Sequence, residues 1–346
     1  MKTIDVKDAV GHILCHDLTR IIKGEIKGVQ FRKGHVVKAE DIPVLLSMGK
    51  EHLFVWEERE GFLHEDEAVE TLDAVYRGKN IIRKGPVEGK IEYFSEIDGL
   101  FHVVPERLEK INSIDGLAVA TRHNFSPVGN GDFIAAIKTI PLVIAKEKIH
   151  EARDACPSAL FEVFPYKLKT AGIIATGSEI FNGRINDTFT PVVAGKLRRF
   201  GIEVIFNKIT GDEAGDIAAG IKQARDFAPD IILCTGGMSV DPDDGTPSAI
   251  KHAIEQDGGE FVTYGTPVLP GAMFLLAYYS DGTPILGLPG CVMFAKTTIF
   301  DIILPRLAAG IRMKKQNFVS MGHGGICLSG KGCVECYFPN CAFGKN

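Results

Sequence analysis

Between residues 166 and 313, short uninterrupted apolar runs alternate with helix-length segments, and this alternation restricts the fold more than any other feature of the chain. Ala171–Gly177, Ile202–Phe206, Ile231–Cys234 and Pro284–Gly290 read as strands with their exit turns. Pro191–Phe200 closed by Gly201, Asp212–Phe227 with Asp212 as N-cap, Gly245–Gln256, and a long apolar Val292–Ala309 read as helices. A strand that is apolar at every position must be covered on both faces, and strands separated by helices pair in parallel. The expected fold class is therefore α/β, a three-layer α/β/α domain. In such sheets ligands sit beyond the carboxyl ends of the strands. Here those ends are Thr176-Gly177-Ser178-Glu179, Thr235-Gly236-Gly237-Met238-Ser239 and Leu288-Pro289-Gly290.

Two flanking regions differ in character. Residues 1–165 are expected to be β-rich, with a short helix over 39–49 stopped by Gly49, a strand Leu53–Trp56, and β segments over 91–104 and 116–144 that turn at Val128–Asp132. The acidic run Glu57–Glu70 reads as a solvated linker or helix face. Residues 314–346 form a tail with six glycines, four cysteines and little apolar periodicity. A segment of that kind needs a staple to fold.

Composition removes several classes of function. With 39 basic and 44 acidic residues the net charge is −5, so no excess of cations exists to grip a phosphate backbone and nucleic acid is not an expected partner. The N-terminus lacks an apolar signal core. The apolar stretch Pro267–Tyr279 is too short to span a bilayer. A cytoplasmic, membrane-free protein is the expectation.

The strand-end loops carry the candidate chemistry. Gly177, Gly236, Gly237 and Gly290 free the backbone for close approach, and successive N–H groups ahead of a helix favour an anion. Glu179, Asp187, Asp241, Asp243 and Asp244 lie beside two of these loops. Glycines next to carboxylates suit a phosphorylated ligand whose charge is shared with a divalent ion such as Mg²⁺. Gly-Gly and Pro-Gly also make ordinary turns, but three at one sheet edge are a stronger signal than any one alone. Cys291, at the exit of the last loop and near a helix start, is expected either to favour a thiolate or to pack as a small residue.

The same loops carry a family resemblance. Thr176-Gly177-Ser178-Glu179-Ile180, Gly183, Ile185, Asp187-Thr188, Thr235-Gly236-Gly237-Met238-Ser239, Asp244-Gly245-Thr246-Pro247 and Leu288-Pro289-Gly290 resemble, in order, the motifs of the MoaB/MogA-type molybdopterin-binding domain. That domain also occurs within MoeA- and gephyrin-type molybdenum insertases and in CinA-like proteins. Ser113-Ile114-Asp115-Gly116-Leu117-Ala118-Val119 is similar to the Asp-Gly-Tyr-Ala-Val segment of MoeA-type proteins. Ser178, Phe189 and Cys291-Val292 stand where the family pattern has an acid, an Asn and Asn-Pro, and the MoeA C-terminal β domain gives way to the cysteine tail.

The resemblance implies a MoeA-like, molybdopterin molybdotransferase-like role in molybdenum-cofactor biosynthesis. Its implied ligands are molybdopterin or its adenylylated form and molybdate. A molybdoenzyme and a second copy of the chain are the implied protein partners. It places Asp244, Glu179 and Asp187 at the chemistry. Thr176, Gly177, Ser178, Gly236, Gly237, Ser239, Pro289 and Gly290 would lie around the cofactor. A non-catalytic carrier or sensor of the pterin, and a CinA-like nucleotide pyrophosphatase, are the alternatives.

The tail spacing, Cys327-x5-Cys333-x2-Cys336-x4-Cys341, puts four thiols in fifteen residues. Four thiolates at such density can wrap one tetrahedral Zn²⁺ or an Fe–S cluster. The spacing departs from a regular zinc ribbon, which favours the cluster. His323 is a spare ligand.

Overall fold

The computed structural model describes residues 2–22, 26–55, 60–239, 241, 244–329, 332–333 and 335–345. The chain divides into two compact units. The first comprises 1–97, 102–122 and 129–163; the second comprises 98–101, 123–128 and 164–346.

The first unit is β-rich. Its main sheet has four antiparallel strands in the order Ile81–Val87, Lys90–Ser95, Phe133–Thr139, Leu117–Thr121. The helix Glu65–Tyr76 packs on this sheet through Ala68, Val69, Leu72 and Tyr76, all fully buried. This corrects the reading of Glu57–Glu70 as solvated. The i, i+1, i+4, i+8 apolar positions form a buried stripe that the acids on the opposite face conceal in sequence. Residues 57–59 of that run, and Trp56 of the expected strand, lie outside the described residues; the strand itself is His52–Val55 and pairs with Lys2–Asp5. The short helix appears as Ile42–Ser47, with Gly49 at a positive φ of 75°. A second small core joins Val6, Leu14, Leu18, Phe31, Val37, Leu45 and Leu53.

The second unit is α/β with three layers. Its elements are labelled here in chain order: β1 (Thr170–Thr176), α1 (Phe189–Arg198), β2 (Glu203–Thr210), α2 (Ala214–Asp226), β3 (Ile231–Thr235), α3 (Thr246–Asp257), β4 (Glu260–Tyr264), β5 (Leu275–Tyr278), β6 (Pro284–Leu288) and α4 (Ile299–Ala308). The six strands run in the order β2-β1-β3-β6-β5-β4. Pairs β1–β2, β1–β3 and β3–β6 are parallel, while β6–β5 and β5–β4 are antiparallel.

Alternation along each strand feeds two separate cores. Ile173, Ile231, Leu233 and Leu286 face α1 and α4, which contribute Val193, Leu197, Phe300, Ile303 and Leu307. Ile174, Ile232, Cys234 and Ile285 face α2 and α3, which contribute Ile217, Ile221, Ala224, Ile250 and Ile254. Burial on both faces is what made these strands apolar without a break.

Three details differ from the sequence reading. The sheet is mixed, because the apolar run before Tyr279 supplies the antiparallel strand β5. The long helix expected over Val292–Ala309 is a short 3-10 turn, Gly290–Met293, followed by α4. Thr298 starts α4 by accepting from Phe300 N at 3.2 Å, while its own N–H donates to Asp301 Oδ2 at 2.8 Å, a reciprocal cap that fixes a new helix start. Asp212 does not cap α2, which begins at Ala214. The tail packs with this unit: Phe318, Met321 and Phe343 enter the α1/α4 core, with Phe338, Cys327 and Cys341 against it.

Candidate functional site

The parallel register brings Thr176, Thr210, Thr235 and Leu288 to one edge, where β1, β2, β3 and β6 end. The strand order reverses direction at β1, the position where an open α/β sheet leaves a crevice for a ligand.

The loop after β1 turns at Gly177, whose φ is 150°. Ser178 donates from its N–H and its hydroxyl to Asp212 Oδ2, at 2.8 and 2.6 Å. Asp212 thus ties the β1 loop to the β2 loop. The sequence reading gave it a helix cap instead, because nothing local signals a partner 34 positions away. Glu179 is exposed, with its carboxyl alongside Gly177. Asp187 is committed to α1: its Oδ1 accepts from Phe189 N at 2.8 Å and Thr190 N at 3.0 Å. These contacts start the helix two residues before the expected Pro191.

The loop after β3 lies closest to its neighbour. Gly236 has a φ of 87°, and a Cβ there would stand 2.2 Å from Thr176 O. Gly237, with φ 53°, faces Thr246 Oγ1, which a Cβ would meet at 3.1 Å. Thr246, fully buried at the start of α3, donates to Gly236 O at 2.9 Å and lies 3.4 Å from Thr176 Oγ1. Only a glycine at 236 allows this stacking of backbone on backbone.

Tyr264 OH donates to Met238 O at 3.0 Å and Ser239 O at 3.2 Å. Burial and the nearby Asp244 carboxylate push the Tyr264 hydroxyl up. Asp244 is half-buried, and its Oδ2 accepts from Asp241 N at 3.1 Å. Asp243 lies outside the described residues. The hydroxyls of Thr210 and Thr235, buried at the same edge, have no hydrogen-bond partner among the described residues. Sequence reasoning carried Thr246 within the Asp244-Gly245-Thr246-Pro247 motif without a role of its own, and missed Tyr264.

The loop after β6 has Pro289 buried and Gly290 exposed, with open space where a Gly290 Cβ would point. Burial raises the Cys291 thiol, against the expectation of a favoured thiolate. The Asp115-Gly116 segment belongs to the first unit, where Gly116 takes a φ of 94° ahead of the strand Leu117–Thr121.

The tail cysteines do not gather as expected. Cys333 Sγ donates to Glu335 O at 2.6 Å, and Cys336 Sγ lies 3.3 Å from Thr297 Oγ1. Cys327 and Cys341 are drawn against the α1/α4 core. Among the described residues no group of three or more His, Cys, Asp or Glu side chains could hold a metal ion. Among the described residues, neither the Zn²⁺ or Fe–S site expected of the tail nor a preformed Mg²⁺ site at the loops is formed. His323 is exposed. No described helix is long and apolar enough to cross a membrane.

Comparison with known proteins bears on the second unit. Residues 172–309 match the family model of a probable molybdopterin binding domain. Residues 3–57 match a domain of unknown function, DUF8806. A putative competence-damage inducible protein of Levilactobacillus brevis is 37% identical over 84 residues, which is 24% of this chain and 20% of that protein. A CinA-like protein of Mycolicibacterium gilvum is 29% identical over 157 residues, 39% of this chain and 37% of its own. The chain thus spans well under half the length of these curated relatives. Among solved structures, the molybdopterin biosynthesis enzyme MoaB of Thermus thermophilus aligns over 41% of this chain and 98% of its own, at 22% identity and a TM-score of 0.35. CinA of Thermoplasma acidophilum aligns over 36% and 89%, at 18% identity and a TM-score of 0.31.

Proposed function

We propose that the second unit binds molybdopterin or its adenylylated form across the carboxyl ends of β1, β3 and β6, and that the chain serves molybdenum-cofactor biosynthesis as a MoeA-like insertase. The observation that carries this reading is the glycine loop at Gly236 pressed onto Thr176, inside the segment that matches the molybdopterin-binding model. In this reading the N–H groups around Gly236, Gly237 and Ser239 meet the pterin phosphate, an anion that backbone amides before a helix favour. Thr176, Gly177, Ser178, Pro289 and Gly290 complete the wall. Glu179 and Asp244 are the acids left to meet ligand or molybdate, since Asp187 Oδ1 is taken by the first two N–H groups of α1. The described carboxylates do not converge, so no step is assigned to Mg²⁺.

The names of the curated relatives favour a second reading, a CinA-like site that takes a nucleotide, consistent with the Asp244-Gly245-Thr246-Pro247 pattern. Mass spectrometry of small molecules released from the full chain, purified from a cofactor-producing host, separates the two. A pterin is the expected finding; a nucleotide alone would replace the first reading with the second. Gly237→Val should remove the bound molecule while the circular-dichroism spectrum stays unchanged, because a β-branched side chain dislikes positive φ and fills the loop.

A further inference from the structure

The first unit contains a cavity of about 370 Å³ that the reading above does not use. That volume is within the usual range for small-molecule sites. Leu18, Phe54, Ile140 and Leu142 give it apolar walls. Glu65 lines it, only 7% exposed, at the first position of the helix Glu65–Tyr76. Its carboxyl accepts no hydrogen bond and pairs with no cation among the described residues. It reaches this position because Gly89 has no side chain: a Cβ there would stand 2.8 Å from Glu65 Oε2. His16 lines the same cavity, and its buried Nδ1 has no partner. Lys50 and Lys138 stand half-buried in the wall, and Lys138 Nζ spends one of its protons on Glu88 O at 2.6 Å.

We propose that this cavity binds a small organic carboxylate, with the Glu65 carboxyl sharing a hydrogen bond with one carboxylate oxygen and Lys50 and Lys138 neutralising the charge. A buried polar group without a partner is costly, and a ligand that supplies the missing acceptor removes that cost. The apolar walls suit an organic body rather than a bare inorganic anion. The charged groups around Glu65 are Asp17, Lys50, Glu88 and Lys138 in the wall, with Lys33, His64 and Asp66 behind it. Glu88 is exposed, and Asp66 is already paired with Lys33 at 2.7 Å. Burial first, and Lys50 second, hold the His16 imidazole below its ordinary range.

Glu65 supplies the pH dependence, because burial first and Asp66 second raise its carboxyl to about 7. If only the protonated form binds, affinity follows the protonated fraction, which rises about tenfold from pH 8 to pH 6. Benzoate and inorganic phosphate are the probes, titrated into the full chain and followed by NMR shifts of first-unit amides. Benzoate should bind about tenfold more tightly at pH 6 than at pH 8. Glu65→Gln, which keeps a donor but cannot ionise, should bind equally at both pH values. Lys50→Ala, in the wall, should weaken binding at both. The proposal is overturned if benzoate produces no shifts near the cavity, if Glu65→Gln keeps the wild-type pH dependence, or if phosphate binds more tightly than benzoate.

Discussion

Gly236 has the least freedom to change of any residue at the candidate site. Its φ of 87° and the 2.2 Å gap to Thr176 O leave no room for a methyl group. Gly236→Ala is expected to destabilise the chain by about 2–4 kcal/mol through backbone strain and displacement of β1. A urea melt would show it, and an unchanged midpoint would mean that the loop relaxes freely. Glu65 offers a test of opposite sign. Its folded-state carboxyl titrates near 7, above the ordinary range near 4.5. Folding therefore holds an extra proton between those values, and stability falls as pH rises through that window. Glu65→Gln should leave stability unchanged at pH 4 and raise it by on the order of 2 kcal/mol at pH 8. Equal effects at both pH values would show that Glu65 is solvated.

The elements of the second unit were legible where burial on both faces writes an unbroken apolar run, as in Ile231–Thr235. They were not legible where two geometries share one pattern. Leu275–Tyr278 is as fully buried as a parallel strand, so its antiparallel pairing left no mark in composition. The glycines of the candidate site stood out because their backbone needs are local. Asp212 and Thr246 did not, because their partners Ser178 and Gly236 are distant or on another element. The split of the expected 292–309 helix rests on Thr298, a polar residue that an apolar run obscures. Thr298→Ala should cost about 1 kcal/mol by removing the cap of α4. No loss in a thermal melt would mean that packing of α4 alone sets where it starts.

At the scale of the whole molecule, the tail is held by apolar contact rather than by its thiols. Phe343 is 5% exposed within the α1/α4 core, whereas Cys333 and Cys336 take local partners. Phe343→Ala should destabilise the chain by about 3 kcal/mol, the usual cost of emptying a buried aromatic site. The double variant Cys333→Ser, Cys336→Ser should change the thermal midpoint little, with or without a chelator. A large loss from the double variant, matched by chelation of the wild-type protein, would restore a metal to the tail.

The second unit also takes residues 98–101 and 123–128 from within the span of the first, so the chain passes between the units after 97, 101, 122, 128 and 163. Synthesis runs from one end. When residue 163 leaves the ribosome, the first unit has all its residues, but Leu100 and Phe101, fully buried in the finished protein, belong to the second unit, whose six-stranded sheet has not yet been made. A nascent chain paused there, or a fragment ending there, holds those two large apolar side chains without most of the unit they belong to.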